Sequence, residues 1–235
     1  SLAKAFGVPV AEVRGGRRHV THSKVMAWVA LDRAIRFVDN AGIDFDLTGW
    51  KALREEIRDD VLANGVDERG VFVQSYGSSK LDASLLTVPL VGFLPPEDPR
   101  VRNTVEAIER ELTEDGFVYR YRPDGAGGVD GLTGDEGAFL MCTFWLADNY
   151  VLLGRAADAR KLYERLLGLR NDVGLLSEQF DPKTRRQLGN VPQAFSHVAL
   201  VNTATNLSEA YVGAARSRWG HQWPIRKHRD RKSDP

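Results

Sequence analysis

Long and short connectors alternate strictly between the predicted helices, and this alternation constrains the fold more than any single motif does. Apolar residues recur at helical spacing and predict helices over 22–40, 47–64, 79–94, 100–114, 135–154, 156–169 and 193–215. Short connectors (41–46, 95–99 and the break near Gly154) alternate with long ones (14–22, 64–79, 114–137 and 171–196). Alternate loops of an up-down helix array emerge at the same end, so we expect all long connectors on one face.

The helices entered from long connectors are also the more apolar ones. The segments 79–94 and 135–154 are apolar almost all round, whereas 47–64, 100–114 and 156–169 carry charged stripes. A helix that is apolar all round is buried, and a striped helix is peripheral. Inner and outer helices therefore alternate, which predicts an all-α, double-ring α/α toroid. The chain would supply about seven of its twelve helices, an incomplete ring.

Composition and charge exclude several function classes. Lys plus Arg and Asp plus Glu both number 32, so the sequence predicts no nucleic-acid partner held by bulk electrostatics. No apolar run reaches the roughly 18 residues of a membrane span. Cys142 is the only cysteine, which excludes a disulfide within the chain and suits a reducing cytoplasm. The basic segment 216–235 reads as a solvated tail.

Metal and nucleotide motifs are missing from the sequence. The five histidines, at 19, 22, 197, 221 and 228, lack the helical spacing of a zinc site, so we predict no metal ligands. No phosphate-binding loop, dinucleotide fingerprint or nucleophile elbow occurs. The sequence therefore requires no cofactor.

The long connectors instead supply carboxylates together with Arg, Tyr and Gln, a mixture that suits sugar recognition. Cleavage of a glycoside needs two carboxyl groups, one protonated and one ionised. Glu12, Glu136 and Glu178 come from three different long connectors. Glu12 could instead be a plain surface residue and Glu136 a helix cap. Glu178 lies between apolar neighbours in a long loop, which favours a site residue.

Several blocks of sequence, in order, resemble glycoside hydrolase family 15, the glucoamylase-like family, and especially its bacterial trehalase branch. The blocks are EVRGGRRHVTHSKVMAWVALDRA (12–34), FVQSYGSSKLDASLL (72–86), GFVYRYRPDG (116–125), TGDEGAFLMCTFWLAD (133–148) and LLSEQFDP with GNVPQAFSHVALVNTA (175–204). The resemblance covers residues 12–215 as a partial catalytic domain, and leaves 1–11 as a non-matching segment.

This resemblance implies an (α/α)6 toroid and an inverting hydrolase of α,α-trehalose. Glu12 would be the general acid and Glu178, in its Ser-Glu-Gln segment, the general base, with carboxyl groups about 6.5–9.5 Å apart. The implied substrate contacts are Arg14, His22, Lys24, Arg120, Glu136 and His197. Trp28 and Trp145 are expected in the core. Two alternatives stay open, a glucoamylase or isomaltose-type hydrolase of α-glucans and a non-catalytic helical-toroid fragment.

The resemblance, the composition and the incomplete ring carry further expectations. The partner is a disaccharide or α-glucan substrate, and the location is cytoplasmic. The resemblance implies that activity could depend on phosphate or magnesium. A homo-oligomer stays open. An incomplete toroid should expose the apolar inner helices 79–94 and 135–154 to solvent.

Overall fold

The predicted helical periodicity is realised in a computed structural model of the chain, which describes residues 18–122 and 137–211. The α-helices of these residues are α1 (Thr21–Ala41), α2 (Thr48–Asn64), α3 (Thr87–Leu90), α4 (Pro99–Glu111), α5 (Leu140–Leu152), α6 (Ala156–Leu167) and α7 (Ala194–Tyr211). Six of them lie within a few residues of the predicted segments.

Five short strands complete the described architecture. β1 (Thr113–Glu114) pairs antiparallel with β2 (Phe117–Val118). β3 (Ala138–Phe139), β4 (Gln179–Asp181) and β5 (Arg186–Leu188) form a three-stranded antiparallel sheet in that order. All five strands lie between α4 and α5 or between α6 and α7, in or directly beside the two last long connectors.

The helix predicted over 79–94 is much shorter than expected. A 3-10 turn (Ala83–Leu86) leads into the single-turn helix α3. The carboxylate of Asp82 accepts from the backbone N–H of Ser84 at 2.8 Å and so starts the turn. Pro89 has no N–H to donate to Leu85, which prevents one continuous α-helix. The prediction was wrong here because apolar periodicity carries no information about these two local constraints.

The predicted contrast between buried and peripheral helices is clearest at α5. Ten of the thirteen residues of α5 are buried, from Leu140 to Val151. The outer helices α2 and α6 each bury only two residues, Ile57 and Val61 in α2 and Ala159 and Leu166 in α6. Helix α5 packs against both α6 and α7. This central helix therefore carries much of the apolar burial of the described fold.

The expected exposure of the middle inner helices is wrong. Leu85, Leu86 and Leu146 are each at most 1% exposed. The exposed large apolar side chains lie instead on α1, α2 and the turn between them, and on α7 and the loop before it: Met26, Phe37, Ile43, Phe45, Trp50, Val173, Val191, Phe195, Val198 and Val201. The middle helices have neighbours on both sides within the array, whereas α1 and α7 are the first and last of the described helices.

Within the described residues, no helix combines the length and the apolar character that crossing a bilayer would require.

One buried polar side chain ties the two central inner elements together. Asn149 is fully buried, and its amide donates to the carbonyls of Leu86 (2.9 Å) and Trp145 (2.8 Å).

We predict that Asn149→Ala lowers the free energy of unfolding by about 1–3 kcal/mol, because both bonds are lost from a buried site. Urea denaturation measures this. Asn202→Ala, at an exposed position of α7, serves as the control and should change stability by less than about 0.5 kcal/mol. Equal effects of the two variants would contradict the prediction.

Candidate active site

The described parts of the long connectors meet at one end of the helix array. The backbone N–H of Tyr76 donates to the carbonyl of His19 (3.0 Å), joining the first connector to the second. Ala83 N–H, just after the second connector, donates to the Arg120 carbonyl in the third (2.8 Å). The Phe117 ring packs on the Phe180 ring, 4.8 Å between centroids, joining the third to the fourth. The predicted loop face is therefore confirmed for the described residues.

Glu178 lies immediately before β4, beside the N-terminal end of the buried helix α5. Its N–H donates to the Asn190 carbonyl (3.0 Å), and its own carbonyl accepts from the N–H of Leu140 (3.1 Å). One carboxylate oxygen, Oε2, accepts from Asn190 N–H at 3.4 Å. The side chain is half-buried. The backbone is thus fixed on both sides, while the carboxylate keeps capacity to accept a proton or hydrogen bond from a ligand or water.

The two neighbours of Glu178 turn their polar groups into the framework. The Ser177 hydroxyl donates to the Gln179 carbonyl (2.6 Å), and the Ser177 carbonyl accepts from the Ser196 hydroxyl on α7 (2.7 Å). The Gln179 side-chain oxygen accepts from Gly137 N–H (2.9 Å). Within the Ser-Glu-Gln triplet, the Glu178 side chain therefore makes the longest hydrogen bond to the rest of the protein.

His197 closes the base of the loop that carries Glu178. Its Nδ1 lies 2.8 Å from the Gln193 carbonyl, and its Nε2 accepts from Leu176 N–H at 3.3 Å. Gln193 N–H in turn donates to the Leu176 carbonyl (3.0 Å). A carbonyl can only accept and an N–H can only donate, so the neutral ring with its proton on Nδ1 satisfies both partners. Both ring nitrogens of this predicted substrate contact are directed to the backbone.

Lys24 makes an ion pair with the outer helix α2. Its Nζ lies 2.7 Å from the Asp60 carboxylate and 5.2 Å from the centre of the Tyr76 ring. The Tyr76 hydroxyl donates to the same Asp60 oxygen (2.9 Å). Partial burial acts to raise the pKa of Asp60, but the Lys24 and Tyr76 hydrogen bonds and the Lys24 charge lower it below its usual value. Lys24 therefore links α1, α2 and the second connector.

Arg120 is half-exposed at the loop face. It lies next to Asp82, a buried acid that was not among the predicted site residues. Arg120 Nε lies 3.9 Å from Oδ1 of Asp82. The other Asp82 oxygen accepts from the amide of Gln74 (3.4 Å). Asp82 is the polar residue directly before the apolar segment that begins at Ala83. This is a typical N-cap position, and it could have indicated the importance of Asp82 from the sequence.

The other predicted site residues divide into two groups. His22 lies in the first turn of α1, half-buried. Glu12, Arg14 and Glu136 lie outside the described residues, as do the segments 1–11 and 216–235. The Glu12–Glu178 separation therefore stays a prediction.

A separate cleft of about 410 Å³ lies between α1, α3, α5 and α7, towards the ends with short connectors. Trp145, Asp148 and Asn206 line it. Its lining runs along α7 from Ala199 to Asn206, a rise of roughly 10 Å at about 1.5 Å per residue. Trp28 is buried, as predicted, whereas Trp145 is half-buried at this cleft.

Comparison with known proteins identifies the family. The family described as glycosyl hydrolases family 15 matches residues 12–205. The chain belongs to this family. It is 50% identical over 199 residues to a trehalase of Mycobacterium tuberculosis, covering 85% of this chain and 29% of that protein. It is 42% identical over 203 residues to a trehalase of Thermoplasma acidophilum, covering 86% and 34%. The chain thus spans about a third of the length of these curated relatives.

Solved structures support the fold. A wild-type glycosidase aligns with a TM-score of 0.71 at 23% identity, covering 86% of this chain and 56% of the other. A bacterial glucoamylase complexed with acarbose aligns with a TM-score of 0.67 at 15% identity, covering 86% and 36%. The described helices therefore belong to the (α/α)6 toroid of the glucoamylase-like enzymes.

The His197 contacts predict a stability effect. His197→Phe keeps a ring of similar size but removes the acceptor for Leu176 N–H and the donor to Gln193, so we expect a loss of about 1–3 kcal/mol in the free energy of unfolding. Chemical denaturation measures it. His19→Phe is the control, since this exposed ring stacks on Tyr76 at 5.5 Å between centroids, a contact that phenylalanine keeps. If His197→Phe were as stable as the control, the ring would not be holding the loop.

The lowered pKa of Asp60 predicts an acid-dependent loss of stability. A depressed folded-state pKa contributes stability above the unfolded value of about 3.9, and this contribution is lost as the pH falls through the folded value. Lys24→Met removes the main partner, so its melting temperature should fall less than that of the wild type between pH 7 and pH 3. Thermal melts across this range test it, with the exposed Lys51→Met as control. Parallel pH profiles for Lys24→Met and wild type would contradict it.

Proposed function

We propose that this protein is an inverting glycoside hydrolase that cleaves α,α-trehalose to glucose, with Glu178 as the general base. The observation that carries the proposal is the half-buried Glu178 carboxylate on a fixed backbone at the loop face. The similarity to proteins named trehalase, over about 85% of this chain, supports the substrate.

The proposed reaction is a single displacement. Water attacks the anomeric carbon while the glycosidic C–O bond breaks on the opposite face of the ring. Glu178, ionised, accepts a proton from this water, and Glu12, protonated, donates its proton to the departing oxygen. One new C–O bond replaces one broken C–O bond. The glucose that contains the attacked carbon is released in the inverted, β configuration, and the departing glucose keeps its α configuration.

The proposed sugar contacts differ in what supports them. Arg120 has a guanidinium that is partly exposed at the loop face beside Asp82, which suits hydrogen bonding to sugar hydroxyls. His22, Arg14 and Glu136 are proposed from the family resemblance alone. The described contacts of Lys24 and His197 favour a framework role for both, and direct contact of either with the sugar stays a prediction.

The remaining functional expectations are also proposals. Dependence on phosphate or magnesium, a cytoplasmic location and a homo-oligomeric state rest on the resemblance or on composition. Among the residues that the structure describes, no group of three or more His, Cys, Asp or Glu side chains is arranged to hold a metal ion. No step of the proposed reaction is assigned to a metal ion.

The test compares Glu178→Gln with wild type in the protein at its native full length. Glutamine is nearly isosteric but cannot accept the proton from water, so we expect kcat on trehalose to fall by about 10²–10⁴-fold with the fold intact. Glu164→Gln, an exposed glutamate on α6, should leave kcat unchanged.

Proton NMR of the first products formed from trehalose reports the anomer released, and β-glucose is the expected inverted product. Glucose release from maltose or isomaltose, but not from trehalose, would instead favour the glucoamylase-type alternative. No release from any of these sugars by folded protein would favour the non-catalytic alternative. Full activity of Glu178→Gln would refute its role as base.

A further inference from the structure

The turn after β5 brings backbone unusually close to the Glu178 side chain. A Cβ atom built on Gly189 would lie 2.7 Å from Glu178 Oε2 and 3.0 Å from Glu178 Cβ. Nonbonded carbon atoms pack best at roughly 3.5–4.0 Å, so any side chain at this position collides with Glu178. Gly189 also has φ +74°, a left-handed conformation that other residues rarely adopt.

The backbone on the Glu178 side of this contact has little freedom to retreat. Residue 178 is bonded to Asn190 through its N–H and to Leu140 through its carbonyl. The next residue, Gln179, pairs with Phe139 on one side and Leu188 on the other. A Cβ at position 189 would be relieved in two ways. Rotation of the Glu178 side chain would move the carboxylate away from the new atom and from Asn190, and a small shift of the turn would separate the new atom from Glu178 Cβ.

Rotation of the Glu178 side chain should change stability little but activity strongly. The closest atom to the added Cβ is the far end of a flexible side chain, which can move without disturbing the core. A general base must lie within hydrogen-bond reach of the water that it deprotonates, so displacement of its oxygens by about 1 Å can lower the rate by about a hundredfold. A substitution here should leave the fold intact and still impair the base.

We propose that Gly189 is a positioning residue for Glu178, because the absence of a side chain at 189 lets the Glu178 carboxylate lie against the turn and accept from Asn190 N–H. This proposal rests on the proposed role of Glu178 as general base. It assigns no contact between Gly189 and the substrate.

The same long connector offers a matched control. Gly174 has φ +83°, also left-handed, but a Cβ atom there would meet nothing within 4 Å. Alanine at either position imposes similar backbone strain, and only alanine at 189 presses on Glu178. The difference between the two variants therefore isolates the contact with the carboxylate from the cost of the backbone conformation.

The kinetic test measures Gly189→Ala, Gly174→Ala and Glu178→Gln in the full-length protein. We expect Gly189→Ala to lower kcat by about a hundredfold relative to Gly174→Ala, with KM changed less than about threefold, since the base does not hold the ground-state sugar. Equal kcat values for the two alanine variants would overturn the proposal. Full activity of Glu178→Gln would refute the proposed function instead, so the two failures are distinguishable.

A second measurement is independent of turnover. In protein labelled with ¹³C in glutamate carboxyl groups, the Glu178 signal is identified by its loss in Glu178→Gln. Gly189→Ala should shift this signal and Gly174→Ala should not. An unshifted signal in Gly189→Ala would overturn the proposal.

Folding is checked for each variant by its melting temperature. Should alanine at either position prevent folding, asparagine, which tolerates the left-handed region better, replaces it at both positions. Failure of both position-189 variants to fold, with the position-174 variants folded, would mean that the contact supports the fold and would also overturn the proposal.

Discussion

Burial of helix α5 on nearly all sides is the constraint on which the described structure depends. A helix with ten of thirteen residues buried must be covered by neighbours in several directions. The outer helix α6, the inner helix α7 and the 3-10 turn before α3 supply that cover. The backbone N–H of Leu140, at the start of α5, bonds the carbonyl of Glu178. The position of the proposed base is therefore set by the same packing that forms the core.

Several polar side chains of the described loop face hydrogen-bond within the protein. Ser177, Gln179 and His197 direct their side chains to backbone partners, and Asp60 joins Lys24 to Tyr76. Hydrogen-bond networks of this kind fix geometry because each member would be costly to leave unpaired. Near Glu178, the neighbouring side chains bond to the framework, while the Glu178 carboxylate accepts one long hydrogen bond from Asn190. This is the preorganisation that a general base requires.

The sequence singled out polar residues of the loop face, but it did not predict the partners of their side chains. Glu178 stood out because a charged residue between apolar neighbours in a long loop is unusual. The family resemblance grouped Lys24 and His197 with the substrate contacts, although their described bonds run to Asp60 and to backbone of the fourth connector. Residue type and spacing show that a side chain can hydrogen-bond. They do not show whether a distant backbone group or a sugar is nearest to it.

By itself, the sequence determined the all-α class, the alternation of inner and outer helices, the loop face and the family, because each follows from local periodicity, connector length or ordered motifs. The tertiary structure decided three other matters: the short 3-10 and α turn in place of a helix over 79–94, the burial of the middle inner helices, and the close approach of Gly189 to Glu178. The burial of the inner helices and the Gly189 contact depend on residues far apart in the chain. The length of the helix in 79–94 depends on how a local N-cap and a proline compete with the packing of that segment. The apolar pattern of one segment carries no record of either.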